Sequence, residues 1–209
     1  PSAMVGITRD QRRQQQCYTA QAAFEWFCFR GRQRRSLAQA IDDHMILVSI
    51  KLRVRQNPDG IPFADRLRSA VHDVLTENGQ NLIDFGLNMH ISIPTYHWIG
   101  RSLRSPYYSS KDFDLAVDAW VRLRAARGQF GVGGAGLLFR VAPHHADQIW
   151  EQLCEVFVEV WAQRNVDSAR LRAQLLSLSR ARARHRERLR EWWERIQMRQ
   201  EERWQREAA

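Results

Sequence analysis

Two stretches of this chain repeat with a strict period of two, and a segment of helical period lies between them. In the first, Ile46, Val48, Ile50, Leu52 and Val54 interleave with Leu47, Ser49, Lys51, Arg53 and Arg55. In the second, Leu87, Met89, Ile91 and Ile93 interleave with Asn88, His90 and Ser92, and Pro94 closes the run. Successive side chains of a strand point to opposite faces, so both stretches read as half-buried strands. Between them, Pro62 suits a first helical position. Phe63, Leu67, Ala70, Val71, Val74 and Leu75 then form one apolar face, ended by Asn78-Gly79. Strands and helices alternating this closely commit the chain to an α+β class.

The remaining segments extend that reading. Thr8-Arg-Asp-Gln11 has the form of a capping box and predicts a helix to about Arg30, with Gly31 as its stop. Ser36-Leu-Ala-Gln39 predicts a short helix through Asp43. The aromatic stretch from Thr95 to Tyr108 leaves room for a short strand. Ser110-Lys-Asp-Phe-Asp114 opens a helix running to Gly128, a third strand is expected at Leu137–Ala142, and Pro143 begins a helix to about Arg164. With a strand within 95–104 the order is βαββαβ. That predicts a ferredoxin-like sheet with helices on one face, N-terminal helices and a long C-terminal helix. The expected division is an α+β core at 7–165 and an Arg-rich helical extension at 166–207.

Charge narrows the function classes. Lys and Arg total 32 against 23 acids, a net charge of +9, and only Lys51 and Lys111 are lysine. The arginines crowd most densely in Arg180-Ala-Arg182-Ala-Arg184-His185-Arg186-Glu187-Arg188-Leu189-Arg190. A step of two residues advances about 200° on a helix, so the run covers two faces. Planar, permanently charged guanidinium groups suit phosphate or carboxylate. The expected partner is therefore nucleic acid, DNA or RNA, with an acidic protein as the competing class. Predicted contacts are Arg180, Arg182, Arg184, Arg186, Arg188 and Arg190, joined by Lys51, Arg53, Arg55 and Arg140 on the polar face of the sheet.

Leu171, Leu175, Leu178, Arg182, His185, Leu189, Trp192, Ile196, Arg199 and Arg203 recur at spacings of four and three, a heptad seam with a polar middle. It predicts self-association, or a helical protein partner, through 171–203. Cys17, Cys28 and Cys154 are odd in number and scattered, which fits a reducing cytoplasm and core packing. No apolar run approaches the ~20 residues of a spanning helix, and no secretory segment opens the chain. No motif calls for a cofactor or a metal. The plainer reading of the arginine run is a solvated face encoded by a GC-rich genome, and a bacterial or mobile-element system is expected.

Three short motifs resemble known families. Asn88-Met-His90 on a strand, with Tyr108-Ser-Ser-Lys111 opening a helix, resembles the HUH endonucleases. In those enzymes two histidines bind a metal and a tyrosine attacks a DNA phosphate. The resemblance implies roles for His90, Tyr108 and Lys111, with Asn88 standing where the first histidine belongs. His90-Ile-Ser-Ile93 is similar to one half of the paired motif of 2H phosphoesterases, and the second half is absent. The glycine-rich segment 128–136 is similar to the loop of CRISPR repeat-RNA-processing nucleases. As an alternative to binding, these implied a degenerate nuclease. The plainer reading makes His90 a polar sheet residue, Tyr107 and Tyr108 loop packing, and the glycines a connector.

Overall fold

The computed structural model describes residues 6–12, 15–56, 60–128 and 142–208. Where the sequence predicts a first helix, the chain forms three strands: β1 (Ile7–Arg12), β2 (Gln15–Phe24) and β3 (Phe27–Arg30). Only an extended chain puts Ala20, Phe24, Phe27 and Phe29 on one side, and all four are buried. The turn joining β2 to β3 is Glu25-Trp26, with φ of 46° and 74°. Two-residue hairpin turns of this hand normally carry Asn-Gly or Asp-Gly. Here tertiary bonds hold the turn. Trp120 Nε1 donates to the Glu25 carbonyl at 2.6 Å, and the Ser92 N–H donates to the Trp26 carbonyl at 2.7 Å.

The opposite correction applies to 46–55. This segment lies within helix α1 (Leu37–Gln56), so the strand expected there is absent. The helix is apolar on two opposed sides. Ala40, Ile46, Leu47, Ile50 and Val54 are buried, while Met45 and Leu52 on the other side are 63% and 50% exposed. Two apolar stripes about half a turn apart erase the 3.6-residue period and leave an apparent period of two.

Other expectations hold. The helix α2 (Phe63–Glu77) ends at Asn78, and the strand β4 (Asn88–Ile93) follows a single-turn helix α3 (Leu82–Phe85). The aromatic stretch gives one turn of helix, α4 (Tyr96–Ile99), and a two-residue strand, β5 (Leu103–Arg104). A 3₁₀ turn at Ser110–Asp112 leads into α5 (Phe113–Arg127), and α6 (Pro143–Ala162) follows. The single C-terminal helix of the sequence reading is two helices, α7 (Ser168–Ala181) and α8 (Ala183–Ala208), which meet at Arg182. The strand expected at Leu137–Ala142, except Ala142 itself, lies outside the described residues, as do Arg140 and nearly all of the glycine-rich segment.

The class is α+β. One five-stranded sheet runs in chain order β1-β2-β3-β4-β5, with α1 to α3 inserted between two neighbouring strands. The described strands do not show ferredoxin-like interleaving, because the segment taken as the first strand is α1 and the true first strands precede it. By compactness the chain forms two units, Pro1–Ser92 with Arg104–Val121, and Ile93–Leu103 with Arg122–Ala209.

The first unit packs α1, α2 and the start of α5 around an aromatic cluster. Phe27 stacks on Phe29 at 5.2 Å, and Phe63 meets Trp120 at 4.3 Å. Each such side chain contributes about 1.5–3 kcal/mol by burial. Asp43 is buried on α1 and receives Arg34 through two parallel bonds of 2.7 and 2.8 Å. A buried carboxylate is tolerated only with such a partner.

The second unit is built on Trp98. Its ring stacks on Trp150 at 5.5 Å, its Nε1 donates to the Ala146 carbonyl at 2.9 Å, and Arg127 lies 5.0 Å over its face. α7 packs against α6 and α4, with Leu175 buried. The heptad positions Leu171, Leu178, Arg182, His185, Leu189, Trp192 and Ile196 are all half-buried within this chain. Among the described residues no helix is long and apolar enough to cross a membrane.

Candidate nucleic-acid interface

The dense arginine run divides into two sets. Arg182, Arg186 and Arg190 recur every four residues; the first two are half-buried and Arg190 is exposed. Arg182 lies against Gly100, Arg186 donates to the Trp98 carbonyl at 2.9 Å and the Ser179 carbonyl at 2.8 Å, and Arg190 pairs with Asp147 at 2.9 Å. Arg180, Arg184 and Arg188 occupy the other face and are exposed. Within α8 this follows from a 200° step, by which alternate arginines fall on opposite sides, whereas Arg180 belongs to α7, before the break at Arg182. Arg186 and Arg190 are thus engaged within the unit, while Arg180, Arg184 and Arg188 are exposed.

Helix α6 shows what these side chains prefer. Asp147, Glu151, Glu155 and Glu159 recur every four residues and form an acidic ridge. Arg190 pairs with Asp147, Arg172 with Glu155 at 2.7 Å, and Arg122 with Glu159. The Arg172 bond holds the exposed Glu155 carboxyl below its ordinary range. A cleft of about 1040 Å³ between α6, α7 and α8 is lined by Glu151, Cys154, Arg172, Leu176, Arg186 and Arg190 among others. Burial pushes the Cys154 thiol up to about 12, so it stays protonated and chemically quiet.

The predicted contacts Lys51, Arg53 and Arg55 do not lie on a sheet. They occupy the last turns of α1, where Arg53 and Arg55 complement the helix dipole. Arg53 is engaged by Glu77 through bonds of 2.6 and 3.0 Å, Lys51 is half-buried and Arg55 is exposed.

The residues singled out by the nuclease motif are not brought together. Tyr108 pairs with Met89 through backbone bonds of 2.9 and 2.8 Å and is buried at 1% exposure. Met89 belongs to the core side of β4, whereas His90 faces the other side by strand alternation. Lys111 is exposed in the 3₁₀ turn, whose capping box joins Ser109 and Asp112. The tyrosine beside His90 is Tyr107, with ring centroids 5.0 Å apart.

That side of the sheet carries a second group of cations, which the sequence hides because it predicts a helix from Thr8 to about Arg30. Register places Cys28 opposite His90 and Arg30 opposite Asn88. Arg104 follows the buried Leu103 on β5 and is exposed. Burial pushes the Cys28 thiol up, against the pull of Arg104 and Arg30. Burial also holds His90 below the ordinary imidazole range, and the same two arginines lower it further. Near pH 7 this pair is a thiol beside a neutral imidazole. The period-two pattern of Phe27, Cys28, Phe29 and Arg30 was the available signal. No protein family, curated protein or solved structure matches this chain.

Proposed function

We propose that this chain binds nucleic acid through the outward arginines of its C-terminal helices, Arg180, Arg184 and Arg188. The observation that supports this is the division of the run: Arg186 and Arg190 are engaged by groups of the same unit, whereas Arg180, Arg184 and Arg188 are exposed. Exposed guanidinium groups close together in the chain suit serial contacts to the phosphates of a strand. Contacts of this kind position a protein on the backbone and carry no base sequence.

Affinity for DNA or RNA should fall linearly with the logarithm of salt concentration. Replacing Arg180, Arg184 and Arg188 together by Gln should weaken binding to every sequence and flatten that slope by about 2–3. Fluorescence anisotropy with labelled oligonucleotides across a salt series measures it, and an unchanged slope would reject this surface.

A second reading has its own support. The acidic ridge of α6 is a helix already gripped by arginines of the same unit. A partner helix bearing carboxylates every four residues would suit the outward row equally well. Anisotropy with an acidic helical peptide, competed by oligonucleotide, separates the two readings.

A further inference from the structure

The polar side of β3, β4 and β5 brings together groups that the arginine row does not use. Arg30 and Arg104 both act on His90 and on Cys28, and no carboxylate is among the charges that shift either group. His90 is only 8% exposed, yet its Nδ1 has no hydrogen-bond partner among the described residues, and the buried Nε of Arg30 is in the same condition. Buried polar atoms are paired as a rule, so these two, on adjoining strands, leave hydrogen-bonding capacity for a polar group. Beside them Tyr107 presents its ring to solvent at 57% exposure while touching His90. Cations next to an exposed aromatic ring are the combination that holds single strands, where an unstacked base lies on the ring and the phosphate lies on the cations.

We propose that this face holds one unstacked nucleotide of a single strand, with its phosphate between Arg30 and Arg104, its base on Tyr107, and His90 bonding to it from beneath. The inference rests on the nucleic-acid reading above and adds a preference for single strands. A base inside a duplex is stacked on both sides and cannot reach Tyr107. The thiol of Cys28 takes no part in chemistry here, and no covalent step is involved.

The test is affinity for a single-stranded oligothymidylate and for a duplex of equal length, using full-length protein. Tyr107→Ala is expected to weaken single-strand binding by about tenfold or more, in the range found for removing one stacked base. Arg104→Gln should weaken it several-fold. Tyr107→Phe should keep wild-type affinity, and duplex binding should stay within about twofold in all three. Ultraviolet cross-linking to an oligonucleotide carrying 5-iodouracil should yield an adduct on the peptide containing Tyr107. Both substituted side chains are exposed, and circular dichroism checks that the variants fold. Unchanged single-strand affinity in Tyr107→Ala and Arg104→Gln would overturn this inference. If the triple arginine variant still loses binding, the proposed function would stand. Failure of the wild-type protein to bind any oligonucleotide would overturn both.

Discussion

At the scale of single residues, His97 couples stability to pH. It is buried beside Trp98, and burial lowers its pKa to about 4, outweighing the opposing pull of Asp147. Arg186, His185 and Arg127 lower it further. An unfolded chain takes up that proton near pH 6.5, so between 6.5 and about 4 the unfolded state binds more protons than the folded one. Stability therefore falls as pH drops through this window and levels off below it. At ~1.4 kcal/mol per pKa unit the loss is roughly 3 kcal/mol. His90 is shifted in the same direction and adds to it. Urea unfolding at pH 7 and pH 4.5 should show a smaller drop for His97→Phe than for wild type. Equal drops would mean that carboxylate pairs, and not this imidazole, govern the acid response.

At the scale of elements, the two faces of the arginine run should respond differently to mutation. Arg186 donates to two carbonyls and has a half-buried side chain, so Arg186→Ala removes a charged donor from both, although the Ser179 carbonyl keeps the Arg182 N–H at 3.1 Å. A cost of about 2–3 kcal/mol is expected, because hydrogen bonds to charged groups exceed neutral ones. Arg184 lies two residues away and is exposed, so Arg184→Ala should change stability by less than about 0.5 kcal/mol while weakening oligonucleotide binding. Thermal unfolding followed by circular dichroism separates the variants. Similar melting temperatures would contradict the division into inward and outward sets.

At the scale of the whole molecule, the compact units place α7 and α8 in one body with α4 and α6. Leu175 is buried there, and Arg186 reaches the Trp98 carbonyl. Truncation after Arg164 removes those contacts. Calorimetry of the truncated chain should show the transition of the aromatic cluster around Phe27 retained and the transition of the Trp98 body lost or lowered. Two unchanged transitions would instead establish 166–207 as an independent extension. Sedimentation of both forms would report whether the heptad seam also serves a second copy.

The sequence by itself determined the α+β class, the ends of α2 and α6, and the strand β4, because each has one apolar face and a clear local stop. It also determined that alternate arginines of a helix fall on two sides, since that follows from spacing alone, though not that the helix breaks at Arg182. Tertiary structure decided the rest. The Glu25-Trp26 turn has no turn residues and is held by Trp120 and Ser92, so its hairpin was invisible locally. Apolar residues on both sides of α1 hid its helical period, which moved Lys51, Arg53 and Arg55 off the sheet. Which arginines are engaged depends on Asp147, 43 residues from Arg190, and on the Trp98 carbonyl, 88 residues from Arg186. The patch of Arg30, His90, Arg104 and Tyr107 exists only because strand register joins segments some 60 residues apart.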